Sequence, residues 1–228
     1  MTAIEELKRQ AAEQAVEYIQ SGMVVGLGTG STAVFAVRRI GALLAAGQLQ
    51  RVVGIPTAEV TAREAERAGV PLGTLDDHPS VDITIDGADE IDPQLNLIKG
   101  LGGALLREKI VAAASRRLII IADDSKRVAQ LGTRAPVPVE VVGFARRPVA
   151  GYLASLGARV IERRLDGQPF ITDEGNIILD CHFPGLANPQ EMAQLIRAQP
   201  GVVEHGLFLG MATEAVVAGK RGIVVIER

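Results

Sequence analysis

The chain has 228 residues, a formal net charge of -3 and 47% hydrophobic residues, enough apolar material for a large α/β domain carrying a smaller one. That charge leaves no excess basic surface for a polyphosphate backbone, which makes nucleic acid a poor candidate partner and leaves room for a small anionic ligand. The single cysteine, Cys181, cannot close an intramolecular disulfide and reads as a small buried residue of a protein from a reducing compartment. The stretch from Met1 to Tyr18 is charged and amphipathic, and no apolar run reaches the roughly 20 residues of a membrane span, so a cytoplasmic protein without membrane contact is expected.

Apolar positions Ile4, Leu7, Ala11, Ala15 and Ile19 recur at helical spacing and predict a first helix, broken at Gly22 before an apolar strand over 23–27. A helix over 32–46, a strand over 51–55, a helix over 58–68 and a strand over 81–85 follow. A glycine-rich loop then leads to a helix over 104–115 and a strand over 117–122. This alternation, with continuous apolar strands, predicts a parallel sheet covered by helices on both faces. After Lys126 the rhythm changes to strand 137–142, helix 148–156, strands 158–163, 169–172 and 176–182, helix 189–198 and strand 202–209. Apart from the short extra strand over 169–172, that is the βαββαβ order of the ferredoxin-like unit. A short helix near Glu214 and a strand over 222–226 rejoin the first sheet, so the expected division is 1–131 plus 210–228 for the larger domain and 132–209 for the inserted one.

Three runs carry the candidate chemistry. GLGTGST, over 26–32, stands where a strand ends and a helix begins; small residues there let the backbone approach a ligand, and the free N–H groups of a helix start favour an anion. It lacks the third glycine of a dinucleotide loop and the lysine of a Walker loop. The alternatives are an anion loop, with Thr29, Gly30, Ser31 and Thr32 around the ligand, and a tight turn with a hydroxyl helix cap. DGADEID, over 86–92, follows an apolar strand, and in an open parallel sheet ligands bind beyond the carboxyl ends of strands. Asp86, Gly87, Ala88 and Asp89 would lie there, where clustered carboxylates can prepare one for proton transfer. Glu90 and Asp92 read instead as a solvated acidic loop, and calcium-loop spacing is absent.

The third run, IKGLGGALLREKIVAAAS over 98–115, leads through Gly100, Leu101 and Gly102 into a helix whose only charges are Arg107, Glu108 and Lys109. Three consecutive charges span about 200° of a helix, so one of them must face a cleft or the interior. Glu108 is flanked by Ala104, Leu105, Val111 and Ala112, an apolar setting suited to a general base, yet Lys109 is flanked as apolarly and periodicity does not choose between them. Lys99 can neutralise a developing oxyanion and Lys126, in ADDSK, can hold a phosphate, unless each is simply solvated. His78, His182 and His205 show no metal-ligand spacing and support neither zinc nor a Ser-His triad.

In this order and spacing, GTGST, DGADEI, IKG with LLREKIV, IADDSK and VPVEV resemble the A-type ribose-5-phosphate isomerases, over a stretch from Leu7 to the final strand. The resemblance implies an α/β fold with a Rossmann-like parallel sheet domain and an inserted smaller α+β ferredoxin-like domain. It implies a cofactor-free, metal-free enzyme of the non-oxidative pentose phosphate pathway, a homodimer or tetramer, interconverting ribose 5-phosphate and ribulose 5-phosphate. By motif, Glu108 matches the proton-abstracting glutamate and Asp86 and Asp89 the pair that assists ring opening and binds the sugar. Lys99 matches the lysine of the KGGG-like loop, residues 29–32 the first ligand loop, and Lys126 the later binding lysine. Leu101 departs from a usual glycine, which raises the question of a positive φ there, and Asp124 adds negative charge near Lys126. A coenzyme A transferase and a sugar-phosphate-sensing module are the readings from other classes; the sensor would normally carry a helix-turn-helix, for which the segment before the first strand has no room.

Overall fold

The structure, a computed structural model, describes residues 2–228. In chain order the elements are α1 (Ala3–Val16), β1 (Val24–Leu27), α2 (Ala33–Ala45), β2 (Val53–Pro56), α3 (Glu59–Arg67), β3 (Val81–Gly87), β4 (Glu90–Ile91) and β5 (Leu97–Ile98). Next come α4 (Leu105–Ala113), β6 (Ser115–Asp123), β7 (Val137–Val141), α5 (Arg146–Ser155), β8 (Arg159–Glu162), β9 (Arg164–Leu165) and β10 (Gln168–Pro169). The chain continues with β11 (Ile177–His182), α6 (Pro189–Ala198), β12 (Val202–His205), β13 (Leu207–Phe208), β14 (Glu214–Gly219) and β15 (Gly222–Glu227). Residues cluster into two compact units: Met1–Ala88, Arg107–Lys126 and Met211–Arg228 form one, and Asp89–Leu106 with Arg127–Gly210 form the other.

The first unit holds a six-stranded sheet in the order β15-β14-β6-β3-β1-β2. The five strands from β2 to β14 run parallel and β15 returns antiparallel on β14. Counting the parallel strands alone, the order is 2-1-3-4-5, a doubly wound Rossmann-like sheet whose direction of winding reverses between β1 and β3. Alternation along β1 explains the layering. Val25 and Leu27 point into a core with Ala11, Ala15, Val37 and Ile40 of α1 and α2, while Gly26 lies under α4 on the opposite face. A Cβ at Gly26 would sit 1.9 Å from Thr84 Oγ1 and 2.8 Å from Val111 Cγ1, so the absence of a side chain is what lets α4 approach the sheet. Helix α1 starts in a capping box: Thr2 Oγ1 accepts from Glu5 N and Glu5 Oε2 accepts from Thr2 N.

The helix expected near Glu214 is a strand. Residues 215–218, Ala-Val-Val-Ala, are buried between β6 and β15, and a short apolar run bounded by Gly219 satisfies a buried strand as well as a helix until its partners are known.

The second unit contains an antiparallel sheet in the order β12-β7-β11-β8, which with α5 and α6 is the 4-1-3-2 arrangement of a ferredoxin-like unit. Val137, Val139, Val141, Leu179 and Cys181 pack with Val149, Leu153 and Ile196 of the helices. The stretch expected as one strand over 202–209 is interrupted at Gly206, where a Cβ would lie 2.1 Å from the Lys99 carbonyl oxygen. Over 169–172 the expected strand is reduced to the β9–β10 hairpin and a single bridge from Ile171 to Ile177.

Residues 89–106, which the sequence places in the first domain, group with the second unit because β4 and β5 pair with each other and β5 with β13. Glu90 and Asp92 are buried anchors of this segment, which corrects their reading as a solvated loop. Glu90 accepts from the N–H groups of Gly132, Arg134 and Ala135 at 2.6–2.7 Å. Asp92 accepts from Gln94 N, Asn96 N and Asn96 Nδ2. Fully paired carboxylates are stable in the interior.

Candidate active site

In the first unit the candidate residues collect where topology predicts a ligand, at the carboxyl ends of β1, β3 and β6, which are neighbours in the sheet. The β1 loop rests directly on Asp86: a Cβ on Gly28 would lie 2.2 Å from Asp86 Oδ1 and 2.5 Å from its Cα. Asp86, 1% exposed, accepts through Oδ1 from Thr29 N at 3.1 Å and from Gly87 N at 2.7 Å. Its carboxylate therefore holds the loop after β1 as well as the end of its own strand.

Thr29 Oγ1 is 2.8 Å from both Thr57 Oγ1 and Thr61 Oγ1, and those hydroxyls donate onward to the carbonyls of Leu27 and Gly28. Thr29 thus braces the loop from behind. Gly30, at φ +110° with open space where a Cβ would stand, makes the turn into α2. Thr32 occupies the cap position of α2 without a side-chain capping bond, so the tight-turn alternative with a hydroxyl cap is not what the loop adopts.

Sequence reasoning missed Lys8. Its Nζ donates to Ser31 Oγ at 2.9 Å, adding a cation to a loop that already presents the start of a helix, a combination suited to an anion. The contact joins positions 23 apart in sequence, and nothing in the periodicity of α1 distinguishes Lys8 from a solvated lysine. Lys126, in the turn after β6, is half-buried, and its side chain makes no ion pair or hydrogen bond among the described residues. Helix α4 follows the doubly wound pattern and runs back against the strands, which puts its first turn at their carboxyl edge. Of its three charges Glu108 is the buried one, 4% exposed, while Arg107 and Lys109 are only partly covered. Packing makes the choice that periodicity left open.

Asp89, Lys99 and the loop after β5 lie in the second unit. Lys99 is 2% exposed, with Nζ 5.3 Å from the centre of the Phe208 ring and its backbone N–H on the Gly206 carbonyl. Asp89 Oδ2 accepts from Leu101 N at 3.0 Å. The positive φ angles of the loop fall on Gly100 (+107°) and Gly103 (+87°). Leu101 keeps a negative φ and loses nothing to its side chain, which resolves the question its departure from glycine raised.

Among the described residues no three His, Cys, Asp or Glu side chains are grouped to hold a metal ion, and no helix is long and apolar enough to cross a membrane.

The family model of ribose 5-phosphate isomerase A (phosphoriboisomerase A) matches residues 53–222. A ribose-5-phosphate isomerase A from Roseiflexus castenholzii is 59% identical over 221 residues, 96% of this chain and 94% of that one. A D-ribose-5-phosphate isomerase solved in complex with phospho-erythronic acid superposes with TM-score 0.97 at 37% identity, covering 100% of both chains. The ribose 5-phosphate isomerase of Plasmodium falciparum superposes with TM-score 0.96 at 42% identity over 99% of each.

Proposed function

This chain belongs to the ribose 5-phosphate isomerase A family, and from that premise we propose that it interconverts ribose 5-phosphate and ribulose 5-phosphate, with Glu108 carrying the proton. The observation that carries the assignment of Glu108 is its burial in the first turn of α4, next to buried Leu105, Val111 and Ala112; a carboxylate held away from water is suited to repeated proton transfer.

In the forward direction Asp86 and Asp89 assist opening of the furanose ring. Glu108 then takes the proton from C2 of the open aldose, the electron pair moves into a C1–C2 enediol system, and negative charge develops on the oxygens. Lys99 and the N–H groups of the loop over 100–102 stabilise that charge. The O2 proton passes to O1 within the enediolate and Glu108 returns its proton to C1, giving the ketose, so one carboxyl serves as base and then as acid. The phosphate does not change, and Ser31, Thr32, Lys8, Lys126 and the start of α2 hold it as a fixed anion. Each step is met by side chains and backbone of this chain, and we infer an enzyme that needs no metal or cofactor.

The decisive experiment is a coupled assay of ribulose 5-phosphate formation from ribose 5-phosphate after exhaustive dialysis against EDTA. Full activity is expected; activity that vanishes and returns with a divalent ion overturns the metal-free mechanism. Glu108→Gln keeps the shape and removes the base, and kcat is expected to fall by about 10² or more with little change in KM. A variant that retains more than about a tenth of the parent kcat removes Glu108 from the proton path. The relative solved with phospho-erythronic acid supports the same ligand class here, and competitive inhibition by that compound is expected. The setting is cytoplasmic. The edge strand β15 exposes Ile223, Val224 and Val225, which supports self-association as a homodimer or tetramer; a monomer by light scattering would exclude it.

A further inference from the structure

The motif residues of the loop after β5 do not explain what fixes the loop itself. Its backbone is held by a side chain that no motif contains. Arg163, between β8 and β9, donates from Nη1 to the Gly100 carbonyl at 2.8 Å and to the Leu101 carbonyl at 3.0 Å. The other edge of the guanidinium is occupied by Asp180 of β11, through Nε to Oδ2 at 3.0 Å and Nη2 to Oδ1 at 2.5 Å. Both side chains are largely covered, with exposures of 12% and 16%. The guanidinium carbon lies 5.9 Å from the centre of the Phe170 ring, and that ring closes on the far end of the loop, where a Cβ at Gly103 would approach it to 2.4 Å.

Peptide planarity turns this clamp into a statement about donors. In a trans peptide the N–H points opposite to the C=O of the same unit. Drawing the Gly100 and Leu101 carbonyls toward Arg163 therefore turns the N–H groups of Leu101 and Gly102 the other way. The first of these meets Asp89 Oδ2 at 3.0 Å. The N–H of Gly102 makes no hydrogen bond among the described residues. An arginine suits this task because its Nε–Nη2 edge is fixed in bidentate fashion on Asp180 while Nη1 donates to both carbonyls, a fixed planar spread that the compact ammonium of a lysine does not reproduce.

We propose that Arg163, oriented by Asp180, is a positioning residue that aims the Gly102 N–H group at an oxygen of the enediolate, while the Leu101 N–H stays on Asp89, a role that rests on the isomerase reading above. It touches no substrate. Its effect is to hold ready, before reaction, a donor that is needed only once charge develops, and such preorganisation acts on kcat rather than on ground-state binding.

The test is steady-state isomerisation of ribose 5-phosphate by the full chain and by Arg163→Ala, Arg163→Lys and Asp180→Asn, with circular dichroism confirming the folded fraction at the assay temperature. Arg163→Ala is expected to lower kcat about tenfold or more while KM moves less than about threefold, and added guanidinium ion should restore part of the lost kcat. Arg163→Lys is expected to remain as impaired as Arg163→Ala, and Asp180→Asn to fall between Arg163→Ala and the parent. Where Arg163→Ala does not fold, the lysine and asparagine variants carry the same comparison. Parent-like kcat in the folded variants, or a loss confined to KM, overturns the clamp. Absence of turnover by the parent chain overturns the isomerase reading instead.

Discussion

The glycine-containing loop after β1 and the one after β5 are built in opposite ways. The loop after β1 is braced through its side chains: Thr29 is tied to Thr57 and Thr61 behind it, Asp86 holds one of its N–H groups, and its forward end opens into α2 with Ser31 and Lys8. The loop over 99–103 is held by its carbonyls, which Arg163 draws to one side. Under the proposed mechanism, the difference follows from what each loop would recognise. A phosphate arrives with its charge already present, so a helix start and two cations suffice. An enediolate acquires charge only during reaction, so its donors must be fixed in advance.

If that contrast is right, the two lysines divide between the loops. Lys99→Ala is expected to lower kcat by about 10² with little change in KM, because the charge it meets exists only on the way to the enediolate. Parent-like kcat with a raised KM would reverse the assignment. Gly28→Ala drives a Cβ into the backbone of Asp86 and should displace the phosphate loop, raising KM by more than about tenfold. Gly30→Ala, with open space around it but φ at +110°, should cost only about 1–2 kcal/mol of stability. Equal KM values for the two alanine variants would show that loop strain, not the Asp86 contact, governs the site. Lys126→Ala should raise KM about tenfold at nearly constant kcat, since its proposed contact is the same in ground and transition states.

The smallest effect concerns the four-stranded sheet that carries Asp180, the partner of Arg163. Glu140 is buried beside Thr172 and Asn176, and burial raises its carboxyl above the usual 4.5 against the pull of those two hydrogen bonds. A raised folded-state value means that this group's contribution to stability is complete below the ordinary glutamate range and is lost as pH rises through the folded value. Glu140→Gln removes that loss, so the Tm of the variant minus that of the parent should become more positive, by a few degrees, between pH 5 and pH 8. A difference that stays flat or declines across that range would remove Glu140 from the pH dependence of stability.

Much of this was legible in the chain. The alternation of apolar strands and helices gave the doubly wound sheet, the change of rhythm after Lys126 gave the ferredoxin-like unit, and the run GLGTGST lay at a strand end as its composition required. Other readings failed for identifiable reasons. Acidic residues next to one another look alike in sequence, yet Asp86 holds the β1 loop while Glu90 is closed over by three N–H groups from positions more than 40 residues away. The run after Thr213 had the composition of either element, and its position between β6 and β15 made it a strand.

What the sequence determined by itself is local: where most helices and strands lie, where glycine permits a turn, and which charged residues stand near those turns. Only the tertiary structure decided that Glu108 rather than Lys109 is buried, that Lys8 reaches Ser31, and that Arg163 holds the carbonyls of Gly100 and Leu101 across some 60 positions of chain. The reason is physical. Periodicity reports which face of an element is apolar, but the partner of a polar side chain is set by which strands become neighbours, and that order is fixed by the packing of the sheets rather than by the residues around the side chain itself.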